Sequence, residues 1–552
     1  MRLSTAAAAV LAALSLPVAV PASVLAQAQP AFDAARLSEH IRILSADDFE
    51  GRGIATPAEQ KVIDYVSGQF EAAGLEPGGE DGGWTQAVAL NRFQASEVRA
   101  QFTVGDWTLP LTQGEQIVVS SRRPGETHIM LMDAPLVFVG YGVTAPERDW
   151  DDFKGQDMTG KILVVLVNDA DFEDPSLDTF GGRAMTYYGR WTYKYEEAAR
   201  QGAAGVIIVH ETAPASYGWT TVKNSWTGPN FDIVRDNADE RVPMESWIQR
   251  DVAVELFQRA GLDFEALKVQ ARSRDFQPVT LEGAELDVMF DVASERIETH
   301  NIIGRLPGTT HPDETFLYTA HWDHIGIGDP DANGDAIFNG AVDNASGIAG
   351  LIELARAYGD APPPERSVVF IGFAAEESGL LGSEYYAANP LYPLAKTVGG
   401  VNMDSANVYG RTAGFGIVGY GQSEFDERMT ALVEAQGREV LPDGTSAAGI
   451  YFRSDHFPLA KRGVPMAYAK SSGDFVDAPI DERVAARNAY TADRYHQADD
   501  EWSADWDYSG QIQDLQIYWS LGHALANSRD WPGWKDGSEF GPARAESAGQ
   551  RE

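Results

Sequence analysis

The chain has no cysteine among its 552 residues. That absence excludes disulfides, thiolate metal ligands, cysteine nucleophiles and a lipid-modified N-terminal cysteine. Any metal site must be built from His, Asp and Glu. Basic residues are scarce: 43 Lys and Arg face 82 Asp and Glu, a formal net charge of −39. So acidic a surface repels nucleic acid and anionic membranes, so neither is an expected partner. Past the N-terminus, no apolar run approaches the roughly 20 residues of a membrane span. The sequence contains neither His-Glu-x-x-His nor Gly-x-Ser-x-Gly, which argues against a helical single-zinc site and against a serine nucleophile elbow.

The N-terminus reads as a targeting segment. Arg2 supplies a positive end, Ala6 to Val20 an apolar run, and Ala26-Gln27-Ala28 a small-residue cleavage signal. Residues 1–28 are therefore expected to be a signal peptide, with the mature chain in the periplasm or secreted and without stable membrane insertion. Length predicts several units. Residues 29–134 begin with helical stripes (Leu37, Ile41, Leu44; then Val62, Val66, Phe70) and turn strand-rich. Residues 135–275 read as a separate β-rich insert, 276–526 as alternating strands and helices, and 527–552 as a polar, loosely held tail. The expected fold class is α/β: a mixed, mainly parallel sheet flanked by helices.

Within 276–526, chemistry-bearing residues fall just past predicted strands. Phe316–Ala320 leads to His321 and Asp323, Ser367–Phe373 to Glu376 and Glu377, and Val398–Met403 to Asp404. In open α/β sheets, ligands bind at the carboxyl ends of strands. Asp343 precedes a predicted helix and His496 follows an irregular segment. Taken alone, Asp343 is most simply a helix cap and His321 an ordinary histidine. Taken together, the set can hold cations, and one of the paired glutamates can remain free to move a proton. Donors of N and O type suit zinc but also cobalt or manganese.

The segments His321-x-Asp323, Gly340-Ala-Val-Asp343-Asn-Ala-Ser-Gly347, Glu376-Glu377, Asp404 and His496 resemble those of the co-catalytic dizinc peptidases of the M28 type, which include secreted bacterial aminopeptidases. The resemblance implies two zinc ions, one held by His321 and Asp404 and the other by Glu377 and His496, with Asp343 bridging. It implies Glu376 as general base and Asp323 as the group that orients His321. Tyr451-Phe-Arg-Ser-Asp-His456 is similar to a stretch whose tyrosine can stabilise the tetrahedral intermediate, which makes Tyr451 a candidate; the plainer reading of Tyr451 is a packed aromatic. Residues 135–275 resemble, more weakly, a protease-associated domain. The implied activity is removal of N-terminal residues from peptide substrates. The alternatives are a carboxypeptidase or dipeptidase, a glutaminyl cyclase-like transferase, or a silent binding ectodomain. Arg453 is a basic residue that a carboxypeptidase could use, but a single arginine is weak support. Gly414-x-Gly416-x-x-Gly419 matches a dinucleotide fingerprint, yet it sits in strand-like sequence, so no nucleotide cofactor is expected.

Overall fold

The computed structural model describes residues 29–551 apart from 178 and 329; the expected signal peptide lies outside the described residues. The two N-terminal stripes fold as α1 (Ala34–Leu44) and α2 (Pro57–Ala72). Asp33 caps α1 by accepting from the backbone of Ala35 and Arg36, and the stripe Leu37, Ile41, Leu44 is buried. Strand β1 (Thr85–Val104) then leads into an outer lobe. That lobe contains β2 (Ile117–Ser120), β3 (His128–Phe138), β4 (Ile162–Leu166), α3 (Trp191–Arg200), β5 (Gly205–His210) and β6 (Met244–Gln249). Strand β7 (Val279–Leu306) returns to the inner lobe. There follow β8 (His311–His321), α4 (Ser346–Gly359), β9 (Arg366–Phe373), α5 (Leu381–Ala388) and β10 (Thr397–Asn402). The chain continues through β11 (Thr412–Ile417), α6 (Phe425–Ala435), β12 (Glu439–Leu441), β13 (Met466–Phe475) and α7 (Ser509–Ala526).

One sheet runs through both lobes in the order β12-β11-β13-β10-β8-β9-β7-β3-β4-β5-β6-β2. Its centre is parallel: β8 pairs with β9 and β10, and β10 with β13. Strand β8 is buried from Glu314 to His321, as expected for a parallel strand covered on both faces. On one face α4 packs Ile348, Leu351 and Ile352 against the sheet. On the other, Leu317, Val369 and Ile371 meet Tyr386 and Leu459. The α/β expectation for 276–526 holds. Gly414 and Gly416 of the glycine fingerprint lie within β11 itself, antiparallel to β13, and Gly419 lies just past it; α6 then crosses to β12, which pairs parallel to β11.

The outer lobe's bounds differ from the expected 135–275. Its core gathers residues from Phe93 to Val292, because β1 and β7 pair from Thr85 with Ile302 to Val104 with Ala284, with one register shift between Met289 and Asp291, and carry side chains into both cores. The tail also differs. Phe540 is buried against Tyr451 and Trp534, and Arg544 donates to the carbonyls of Thr397 and Val398 at 2.8 and 3.0 Å. A polar composition hid these two anchors. No helix among the described residues is long and apolar enough to cross a membrane.

Helix α1 is tied to α4 by charge. Arg36 donates to Glu353 at 2.7 and 3.0 Å, and Arg356 adds a bond of 3.1 Å. Burial alone would raise the pKa of Glu353, but the two guanidiniums outweigh it and hold it below its ordinary 4.5. A depressed carboxylate contributes stability that is complete above the unfolded pKa and is lost as pH falls through the folded one. Glu353→Gln should therefore unfold more easily than the parent at neutral pH, and the gap should close as pH falls through the depressed Glu353 pKa. Denaturant titrations at several pH values will check this; a gap that widens in acid would refute it.

Candidate metal centre

Three parallel strands deliver their ends to one rim. His321 closes β8 beside Phe373, the last residue of β9, and Thr319 lies beside Asn402, the last residue of β10. Glu376 and Glu377 follow β9, and Asp404 follows β10, so all four side chains emerge at the carboxyl edge of the sheet. Asp343 reaches the same rim from the turn Ala341–Ala345 ahead of α4. That turn needs Gly340: its φ is 56°, and a Cβ would meet the Asp343 carbonyl at 2.3 Å and the His324 ring at 2.5 Å. Asp500 fixes the turn by accepting from the backbone of Val342 and Asp343, each at 3.1 Å.

The distances give Asp343 the central place. Its Oδ1 lies 3.2 Å from His321 Nε2, and its Oδ2 lies 3.3 Å from His496 Nε2. His321 Nε2 is also 3.6 Å from Asp404 Oδ1, and His496 Nε2 is 3.1 Å from Glu377 Oε2. One ligand-type atom from each of His321, Asp343 and Glu377 falls within 4.8 Å of the others, as does one from each of His321, Glu376 and Asp404. Glu376 thus stands as near to His321 and Asp404 as a ligand would. His321 Nε2 and His324 Nε2 are buried without a hydrogen bond. Buried nitrogens seldom go unsatisfied. A lone pair that meets oxygens from several directions without bonding any of them is what a cation donor set requires, so these residues fit a metal.

The electrostatics agree. Burial would favour neutral His321, but Glu376, Asp343 and Asp404 outweigh it and raise its pKa well above the ordinary value. His496 is raised against burial in the same way, by Glu377 and Asp343. Burial works to raise Glu377, but His496 and His324 hold it well below the usual carboxylate range. Glu376 behaves oppositely: burial, opposed by His321 and reinforced by Glu377 and Asp404, pushes it well above that range. Two adjacent glutamates therefore differ in proton affinity, the division expected of an acid–base group beside a permanently ionised one.

Other candidates are placed less simply. Asp323 meets His321 mainly through its backbone: His321 Nδ1 is 3.1 Å from the Asp323 carbonyl oxygen and 3.8 Å from its carboxylate. The Asp323 carboxylate instead accepts from the backbone of Glu376 and Glu377, at 3.1 and 3.4 Å, and so steadies the paired glutamates. Tyr451 does not join the cluster. Its ring stacks on Phe540 at 5.9 Å and meets Phe452 edge-on, with its buried hydroxyl unbonded. The aromatic on the rim is Tyr495, stacked on His496 at 3.9 Å. His324, which ends the ligand-type segment His321-Trp-Asp323-His324 but carries no assigned role in sequence, also reaches the rim: its Nδ1 is 2.6 Å from Glu377 Oε1.

Arg52 had no sequence signal. Fully buried, it donates to the carbonyls of Trp322, Leu44, Asn339 and Gly340 at 2.7–2.9 Å, and so ties the loop after His321 to the loop before Asp343. Each carbonyl left unpartnered costs about 1–3 kcal/mol. Arg52→Met should therefore lower the unfolding free energy by several kcal/mol, and Arg52→Lys should recover only part, because an ammonium lacks the planar fork. Urea unfolding will measure both; a loss below about 1 kcal/mol would show that the loops hold without this tie.

Comparison with known proteins gives a consistent result. The chain is 23% identical over 445 residues to an aminopeptidase of Pseudomonas aeruginosa, an overlap of 78% of this chain and 68% of that one. It is 42% identical over 86 residues to a probable zinc metalloprotease of Pyrenophora tritici-repentis, 16% of this chain and 19% of that protein. The chain thus spans about a fifth of the fungal relatives it matches. Among solved structures, an aminopeptidase from Aneurinibacillus sp. strain AM-1 shares the fold, with a TM-score of 0.50 at 20% identity, covering 90% of this chain and 94% of that one. The model of Peptidase family M28 matches residues 301–520. The rim from His321 to His496 lies wholly inside that match.

Proposed function

We propose that this protein is a zinc-dependent peptidase that releases N-terminal residues from peptides. The observation that carries the reading is the convergence of His321, Asp343, Glu377, Asp404 and His496 at one rim, with Glu376 beside them. His321 and Asp404 would hold one ion and Glu377 and His496 a second, with one Asp343 oxygen for each. Bound there, the ions would polarise the scissile carbonyl and acidify water. Glu376 takes a proton from the attacking water on its carboxylate and returns it to the leaving amine. Asp323 holds the backbone of Glu376 in place for that exchange. Tyr495, stacked on His496, steadies that ring at the rim. Identity of the metal follows from the relatives' names; the donor types alone also admit cobalt or manganese.

The test is a panel of peptides with free and acetylated N-termini, assayed with and without chelator. Cleavage should need a free amine and should stop on chelation. Equal rates on acetylated peptides would overturn the aminopeptidase reading, and chelator-insensitive cleavage would overturn the metal reading. We also infer export, from the positive end, apolar run and small-residue site in residues 1–28. The mature N-terminus determined by mass spectrometry will check it; an intact Met1 in exported protein would exclude cleavage.

A further inference from the structure

The cleft in front of Glu376, Glu377 and His496 encloses about 330 Å3 and is roofed by the outer lobe. Most of its basic side chains are paired with acids. Arg122 binds Glu245 at 2.8 Å, Arg235 and Arg241 both bind Asp232, and Lys461 lies 3.4 Å from Glu196. Arg190 and Arg453 are the exceptions among the described residues of the cleft wall. Arg190 is only 9% exposed and its Nε is buried without a partner. The charged or ionisable groups that act on it are Arg453, Tyr217 and Tyr187, with no carboxylate among them. Arg453 donates to Ser216 Oγ at 2.7 Å and lies over the Tyr217 ring at 5.6 Å; its Nε too is buried and unbonded. No carboxylate acts on it either.

Two neighbouring guanidiniums without counter-charge are costly to bury. The cost shows in Arg190, which burial, reinforced by Arg453, pushes down to about 9. That a chain of net charge −39 leaves this pair uncompensated, on the wall shared with Glu376, points to an anion arriving from outside. A guanidinium fork matches a carboxylate, and two of them can hold both oxygens. The cleft volume is at the small end of ligand sites and accommodates a short peptide.

We propose that Arg190 and Arg453 bind the C-terminal carboxylate of a short peptide, so that the enzyme favours small peptides with a free C-terminus over longer or amidated ones. The proposal rests on the hydrolytic reading above and adds the substrate class. The outer lobe then supplies half of a substrate subsite through Arg190, while the inner lobe supplies Arg453.

The test uses the full-length, metal-loaded protein and three substrates: a tripeptide acid, its C-terminal amide, and an amide carrying a glutamate side chain. Wild type should favour the acid over the plain amide by about tenfold or more in kcat/KM, expressed mainly in KM. Arg190→Gln and Arg453→Gln should each bring that ratio near one, and Arg190→Lys should restore part of it, with thermal midpoints measured to confirm folding. A wild-type ratio near one would overturn the proposal, as would a ratio that survives both Gln variants. Recovery of rate by the glutamate-bearing amide would assign the pair to an acidic side chain and overturn the C-terminal reading. If no peptide is cleaved, the hydrolytic reading falls on its own. The pair is then judged by calorimetric titration with the same acid and amide, where equal affinity overturns it.

Discussion

Glu376→Gln will lower peptide turnover by about 10²–10⁴-fold while leaving metal content unchanged. The two halves of this expectation have separate origins. Turnover falls because an amide cannot take up and return a proton, and Glu376 is the rim carboxylate that burial and the neighbouring negative charges push toward protonation. Metal content is kept because His321, Asp343, Glu377, Asp404 and His496 supply the paired contacts at 3.1–3.6 Å without it. The substitution preserves shape, so loss by misfolding is not expected. Steady-state kinetics together with elemental analysis of the same preparation will decide. Full activity removes Glu376 from proton transfer. Loss of metal in parallel with activity makes it a ligand instead, a role its proximity to His321 and Asp404 allows.

Asp343→Ala will abolish metal retention and, with it, the stabilisation that metal confers. The two oxygens of Asp343 face His321 and His496, at 3.2 and 3.3 Å. Its removal takes a donor from both halves of the site. A ligand that binds only the folded state stabilises it by RT ln(1 + [L]/Kd), about 2.7 kcal/mol at a hundredfold excess over Kd. The thermal midpoint of the wild type should therefore rise with added zinc, and that of Asp343→Ala should stay flat. Repulsion within the cluster gives a second signature. Without the metal, Glu377 and Asp404 are balanced by histidine protons, so chelated wild-type protein should lose stability as pH rises through the raised His321 and His496 pKa values. A variant that binds zinc with undiminished stoichiometry would end the bridging assignment.

The parts of the molecule legible in sequence were those governed by local pattern. Apolar runs of strand length leading to His321, Glu376 and Asp404 could be read because a buried parallel strand is mostly apolar until it reaches the rim. The stripe of α1 was visible for the same kind of reason. What sequence hid was long-range pairing. Nothing local says that Thr85–Val104 and Val279–Leu306 lie side by side, so the outer lobe's edges were drawn inside its own core. Arg52 acts only through carbonyls, which every residue possesses, so no residue type marks its partners. Tyr451 shows the limit of motif reading, since neighbours as close as Phe452 and Arg453 line the cleft while it faces Phe540. The single arginine that looked weak in sequence gained weight only when the fold set Arg190 on the wall of the same cleft.

The long ladder of β1 and β7, shifted in register only between Met289 and Asp291, has a mechanical consequence. A ribbon paired across so many positions flexes like a leaf spring, by a little twist at each rung, whereas a linker pivots at one joint. Any breathing of the roof over the cleft is therefore shared along the ribbon and reaches the strand beside β9 directly. The roof is also not a detachable module: excising it would bare the hydrogen-bonding edge of β7 that faces β3, and leave the inner lobe with a sticky flank.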